Sequence, residues 1–170
     1  DSTGICFIGE RDFNEFIGQY IASKPGDMIT VDGEKIGEHQ GLSFYTIGQR
    51  KGLHIGGVKN SSGEPWFVVE KDIENNRVIV AQGEHEALYK QSLTARDVHW
   101  INTNIDLENI NQNLTAKIRY RQQDEACSIQ FLEDGRISVD FKDPQRAVTP
   151  GQSIVFYHDD ICLGGAIIER

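Results

Sequence analysis

Cysteine is scarce: three residues among 170. The number is odd and too small for a disulfide framework, which points to a reducing compartment. No Cys-x-x-Cys pair exists, so neither zinc nor thioredoxin-type chemistry has support. The five histidines, His39, His54, His85, His99 and His158, show no metal-ligand spacing, and no metal is expected. Positive charge is the minority sign, with 17 Lys and Arg against 26 Asp and Glu and a net charge of −9. That excludes a protein gripping nucleic acid by bulk positive field, though not one that holds RNA at a local patch. The deficit is shared: nine basic and 14 acidic residues lie at or before residue 90, eight and 12 after it. Neither half is a basic arm. No run approaches the ~20 apolar residues of a membrane-spanning helix, and no basic-then-apolar signal segment opens the chain. A Walker-type phosphate loop and a nucleophile elbow are both missing. The first residue is Asp1 rather than Met, so a fragment or a processed product is expected.

What is present is mostly strand grammar. Glycine is common (17) and proline rare (4), and short β-branched runs recur between turn signals. The expected fold class is mainly β: two small β-barrel-like domains, preceded by a loop and one short amphipathic helix. The helix is read from Phe13, Phe16, Ile17, Tyr20 and Ile21 on one face at period 3.6. Asp12 and Glu15 fit a capping box, and Lys24-Pro25-Gly26 ends it. Met28–Val31, Asp32-Gly33 and Glu34–Ile36 read as a hairpin. Leu42–Ile47, Trp66–Val69 and Arg77–Val80 read as strands of a small barrel or rolled sheet. The less patterned stretch Glu84–Ser92 carries the expected boundary, giving segments 1–24, 25–90 and 91–170. Leu93–Trp100, Leu114–Tyr120, Gln152–Tyr157, Ile161–Leu163 and Ala166–Ile168 are expected strands of the second barrel. Its strongest hairpin is Ser128–Leu132, Asp134-Gly135, Ile137–Phe141, with Ile129, Phe131, Ile137, Val139 and Phe141 at period 2.

Few residues carry candidate chemistry. Cys6, in Thr3-Gly4-Ile5-Cys6-Phe7, sits where backbone amides near a glycine can favour a thiolate. Spacing alone favours a small buried hydrophobe between Ile5 and Phe7. Cys127 and Cys162 lie inside strand patterns, and burial is expected of both. His39-Gln40-Gly41 reads as a loop with a hydrogen-bonded histidine, and Asp159-Asp160 as a hairpin turn. Two basic features remain. Gln49-Arg50-Lys51-Gly52 places two cations on a glycine-flanked loop suited to phosphate. Lys117, Arg119 and Arg121 alternate along one strand face, with Ala116, Ile118 and Tyr120 on the other. The stripe reads equally as a phosphate contact and as a solvated outer face. Tyr120 beside it can stack a base at a strand end.

The opening Asp1-Ser2-Thr3-Gly4-Ile5-Cys6-Phe7-Ile8-Gly9-Glu10-Arg11 resembles the second cysteine motif of the bacterial tRNA-specific 2-thiouridylases. The resemblance continues through Gly37-Glu38-His39-Gln40-Gly41, Thr46-Ile47-Gly48-Gln49-Arg50-Lys51-Gly52-Leu53, Arg119-Tyr120-Arg121-Gln122 and Val148-Thr149-Pro150-Gly151-Gln152. It ends at Cys162-Leu163-Gly164-Gly165. It covers the later part of that family only: the second-cysteine loop, a central β domain and a C-terminal β-barrel. The family's nucleotide-binding domain, with its Ser-Gly-Gly-x-Asp-Ser loop and first catalytic cysteine, has no counterpart here. The resemblance implies a tRNA sulfurtransferase that makes 2-thiouridine at the wobble position. ATP, bound by the absent domain, would adenylate the base. Cys6 would carry the sulfur as a persulfide, and the first cysteine would help release it, with a disulfide bond among the family's features. Arg119, Tyr120 and Gln152 would contact tRNA, and Arg50, Lys51, Lys117 and Arg121 are added as candidates. By strand alternation Arg119 and Tyr120 point to opposite faces, so joint contact with RNA requires a strand end or bulge there. The implied partners are tRNA, a sulfur-carrier protein and the nucleotide-binding domain, in the cytoplasm and without a membrane. Residues 1–9 are expected to be mobile without that domain, and the 170 residues alone inactive. Two other readings stand beside this one: a non-catalytic RNA-binding double barrel with Cys6 structural, and a docking module for a sulfur-carrier protein.

Overall fold

Hydrophobic alternation in short runs dictates sheets, and sheets are what form. The structure, a computed structural model, describes Tyr20 and residues 23–56, 62–101 and 109–169. Cys6, the opening segment 1–9 and the helix expected before Lys24, apart from Tyr20, lie outside the described residues. No described helix is long and apolar enough to cross a membrane. The chain divides into two units between Ala87 and Leu88.

The first unit is a four-stranded mixed sheet. Its strands are β1 (Gly26–Thr30), β2 (Lys35–His39), β3 (Trp66–Asp72) and β4 (Arg77–Gln82), in the order β2-β1-β4-β3. The first hairpin turns at Val31-Asp32-Gly33, where Gly33 takes φ 88°. Thr30 closes it with its hydroxyl, which accepts from Glu34 N at 3.1 Å. β1 pairs antiparallel with β2 and parallel with β4. Met28, Val68, Val78 and Val80 are fully buried, and Phe44, Tyr45 and Leu53 pack on them. The strand expected over Leu42–Ile47 does not form: Leu42–Phe44 is a single 3-10 turn. Phe44 N donates to Gly41 O at 3.1 Å and Tyr45 N to Leu42 O at 3.3 Å, local turn bonds that take the place of a strand ladder, and Phe44 and Tyr45 are both buried. Beyond them the chain returns to the sheet edge, where Gly48 N donates to Val68 O at 2.7 Å and Val68 N to Gln49 O at 3.0 Å.

The second unit is a closed six-stranded barrel. Its strands are β5 (Tyr89–Trp100), β6 (Leu114–Lys117), β7 (Glu125–Phe131), β8 (Ile137–Arg146), β9 (Ser153–His158) and β10 (Ile161–Ile168). They close in the order β10-β5-β8-β7-β6-β9, every neighbouring pair antiparallel. Closure removes the unpaired edges that an open sheet would present. The strongest sequence hairpin forms, with Cys127 opposite Phe141 and Phe131 opposite Ile137, around a Gly135 at φ 83°. Ala95, Ala116, Ile137, Val139, Ile154 and Phe156 are fully buried, small and large side chains alternating to fill the barrel.

Three expectations for this unit are corrected. The strand expected over Leu114–Tyr120 ends at Lys117, so Tyr120 does not share a face with Ala116 and Ile118. Those two are buried while Tyr120 is 95% exposed. The segments Ile161–Leu163 and Ala166–Ile168 are one strand, with a register shift between Cys162 and Gly164. That shift moves Cys162 off the inward parity of Gly164, Ala166 and Ile168. Cys162 is therefore exposed, whereas Cys127 is buried as expected.

Candidate nucleic-acid interface

The barrel brings the later sequence candidates to one of its ends. β6 runs antiparallel to β9 with Lys117 opposite Val155. The chain after Lys117 thus leaves the barrel at the end where Gln152 leads into β9. The backbone of Gln152 is fixed there, since Ile168 N donates to Gln152 O at 2.8 Å and Gly151 N to Ile168 O at 2.8 Å. Gln152 itself is exposed.

Between β6 and β7 the chain makes a tight turn. Gln122 N donates to Arg119 O at 3.2 Å, which leaves Tyr120 and Arg121 at the two central positions. Both are exposed. The strand end that joint contact by Arg119 and Tyr120 requires is present. The Arg119 guanidinium is oriented by Ala147, whose carbonyl accepts from Nη2 at 3.1 Å and from the Thr149 hydroxyl at 3.0 Å. Ala147 adopts φ 53°, the left-handed bend that turns this carbonyl toward Arg119. Partial burial lowers the Arg119 pKa below the ordinary arginine value, and the charge of Arg146 acts in the same direction. The group stays a cation at neutral pH. One of its five N–H groups is committed to Ala147, so paired donation to a phosphate remains geometrically open.

Lys117 is placed differently. Its Nζ lies 5.1 Å from the Tyr157 ring centroid, a cation–π contact on the barrel wall. The three-cation stripe is therefore broken up: Lys117 on a strand, Arg119 entering the turn, Arg121 at its tip. Gln122, the last residue of the Arg119–Gln122 motif, and Gln145, which sequence reasoning passed over, complete the end. Gln122 Nε2 donates to Gln145 Oε1 at 2.5 Å, and Gln145 Nε2 donates to Asp143 O at 2.8 Å. Gln145 is only 3% exposed. The signal was present in β8, where Gln145 lies at the parity of Ile137, Val139 and Phe141.

In the first unit, Arg50 and Lys51 are exposed on a braced loop. Gln49 Oε1 accepts from Thr46 N at 2.9 Å and its Nε2 donates to Lys51 O at 3.0 Å. Positive φ at Gly48 and Gly52 shapes the loop. His39 is buried and hydrogen-bonded as the sequence suggested, with Nε2 3.0 Å from Asn76 O. Asn76 Nδ2 in turn donates to Pro25 O at 2.8 Å. Gly26 is forced by this knot, because a Cβ there would lie 2.1 Å from Asn76 O. His39 thus holds the loop, its ring packed edge-on against Tyr45 at 5.9 Å. Asp159-Asp160 is the hairpin turn between β9 and β10. Among the described residues no cluster of His, Cys, Asp and Glu has the makings of a metal site. Cys127 and Cys162 are free thiols. Burial pushes the Cys127 thiol up to about 12, which makes it inert as a nucleophile.

Comparison with known proteins agrees with the two-unit division. The tRNA methyl transferase PRC-barrel domain matches residues 14–82, and the aminomethyltransferase beta-barrel domain matches residues 90–168. The tRNA-specific 2-thiouridylase MnmA of Idiomarina loihiensis is 57% identical over 171 residues, covering 100% of this chain and 46% of that protein. The enzymes of the same name from Salmonella arizonae and Escherichia coli O157:H7 are 57% and 56% identical over 173 residues, with the same coverage. The chain thus spans about half the length of the curated relatives it matches. Identity at this level along the whole chain, together with two adjoining domain matches, places it in the tRNA-specific 2-thiouridylase family, of which it carries the C-terminal part.

Proposed function

We propose that this chain is the sulfur-relay and tRNA-binding part of an enzyme that makes 2-thiouridine at the tRNA wobble position. The observation that carries the proposal is the 57% identity to a tRNA-specific 2-thiouridylase along the full chain. The barrel end supports it, because Arg119, Tyr120, Arg121 and Gln152 project from one end of a closed scaffold. In this reading Arg119 and Arg121 meet phosphates, Tyr120 stacks on a base, and Gln152 donates to a base or sugar. Arg50 and Lys51 add a second phosphate contact from the first unit, and Lys117 lends charge from the barrel wall.

Cys6 is the persulfide carrier. Its chemistry is a sulfur transfer: the outer sulfur of the Cys6 persulfide bonds to C2 of the uracil ring while the activated C2 oxygen departs. The S–S bond then breaks on attack by a second thiol, leaving a disulfide that an external reductant reopens. That second thiol and the ATP site belong to the region of the relatives beyond this chain, since the sequence has no glycine-rich phosphate loop. A sulfur-carrier protein supplies Cys6, and the setting is the cytoplasm.

The test is complementation. The 170 residues alone, given tRNA, ATP and a sulfur donor, are expected to form no 2-thiouridine. With the nucleotide-binding region of the family supplied, the chain with Cys6 thiolates tRNA and Cys6→Ser does not. Thiolation by the isolated chain refutes the division of labour. Undiminished thiolation by Cys6→Ser makes Cys6 structural and the chain an RNA-binding double barrel.

A further inference from the structure

The turn that carries Tyr120 is fastened on both flanks. Its own closure is the Gln122 N to Arg119 O bond at 3.2 Å. On one side the Arg119 guanidinium is tied to Ala147 O at 3.1 Å. On the other, the Gln122 side chain is tied to Gln145 at 2.5 Å. Gln145 is 3% exposed and in turn tied to Asp143 O. The amide orientations are not interchangeable. Asp143 O accepts only, so Gln145 must present Nε2 to it and Oε1 to Gln122. Gln122 must then present Nε2 to Gln145, and its own Oε1 is left buried without a partner. A buried acceptor without a donor costs stability. The Gln122 donor is nevertheless needed, because without it the buried Gln145 Oε1 would be the orphan instead. The tip that the network holds is a tyrosine ring 95% exposed to solvent, flanked by the exposed cation Arg121. An aromatic ring with a cation beside it, on a turn tied at both flanks, is an arrangement that suits stacking on an unpaired base and contact with the next phosphate.

We infer that Gln122 and Gln145 are positioning residues, which hold the 119–122 turn rigid so that Tyr120 stacks on an unpaired base of the bound RNA. The inference rests on the reading that this barrel end meets tRNA. Pre-organisation is what the two amides contribute, since a base that docks on a fixed ring need not first order the turn.

The experiment is a double-mutant cycle in the full-length protein, read by tRNA affinity, thermal unfolding and hydrogen exchange of the turn. Gln122→Met keeps the side-chain length, removes the donor to Gln145 and removes the buried orphan oxygen. Because it leaves the buried Gln145 Oε1 without a donor, it is paired with Gln145→Leu; the double variant is expected to keep Tm near the native value while tRNA binding weakens, whereas a merely structural role would lower both together. Tyr120→Ala is expected to weaken binding about tenfold, as loss of a stacking aromatic does. In the background of the double variant the same change is expected to cost less than about threefold, because the ring is no longer held in place. The exchange rate at the backbone N–H of residue 122 is expected to rise in the same background. Equal Tyr120→Ala losses in the two backgrounds overturn the inference and leave the tRNA reading standing. No loss on Tyr120→Ala, with exchange at the turn raised, overturns stacking at this end while the bracing by the two glutamines stands. No change in exchange overturns the bracing itself.

Discussion

Three cysteines show how position decides chemistry in this chain. Cys127 faces the barrel interior at 9% exposure, and burial lifts its thiol from 9.0 to about 12. The folded state therefore keeps a proton that the unfolded chain releases near pH 9. The resulting stability is complete below about pH 9 and declines as pH rises toward 12, at about 1.4 kcal/mol per unit. Denaturant unfolding of the barrel at rising pH is expected to show this alkaline decline in the native chain and a shallower one in Cys127→Val. Equal declines would remove the assignment. Cys162 differs only by a register shift of β10, and it is exposed. A thiol probe is therefore expected to modify Cys162 in the native protein and to spare Cys127. Cys6 reads in the sequence as a small hydrophobe between Ile5 and Phe7, and its proposed role as sulfur carrier rests on the resemblance of the motif around it.

At the scale of elements, the legible parts were those in which alternation and turn chemistry agree. The Asp134-Gly135 hairpin and the Val31-Asp32-Gly33 hairpin have both signals, and both form, the second of them with a register shift between Met28 and Ile29. The illegible parts are those where tertiary contacts interrupt the period. Leu42–Ile47 has strand composition, yet the chain coils into a 3-10 turn at Leu42–Phe44 and sets both Phe44 and Tyr45 into the core. Leu114–Tyr120 alternates through its length, but the chain turns at Arg119–Gln122 and the ladder to β9 stops at Lys117. The candidate interface was partly visible for the same reason. Arg119, Tyr120 and Gln152 were named from a motif, whereas the Gln122–Gln145 link depends on a contact between a turn and β8 that no local pattern encodes. Close packing of strands also makes a prediction. Gly164 has φ 155°, and a Cβ there would lie 2.2 Å from His99 O. Gly164→Ala is expected to destabilise the barrel by about 1–3 kcal/mol, read as a Tm several degrees lower. An unchanged Tm would show that β5 and β10 can move apart freely at this point.

On the scale of the whole molecule, the proposed function poses the question of how a chain of net charge −9 would engage a polyanion. Local placement is the proposed answer: a few cations on braced turns rather than a positive field. Arg119→Ala in the full-length protein is expected to weaken tRNA binding and to flatten the slope of log affinity against log salt by up to about one unit. Lys142→Ala, an exposed cation on β8, is expected to do neither. Identical slopes for the native protein and Arg119→Ala would reduce the barrel to a spacer. The sulfur relay itself is open to direct observation. After incubation of the full-length protein with a sulfur donor and no tRNA, mass spectrometry of its peptides is expected to find one extra sulfur on the peptide containing Cys6. The peptides of Cys127 and Cys162 are expected to carry none, and the extra sulfur is expected to disappear when tRNA and ATP are added. An unmodified Cys6 with the extra sulfur on Cys162, or a sulfur on Cys6 that tRNA and ATP never discharge, would contradict the relay.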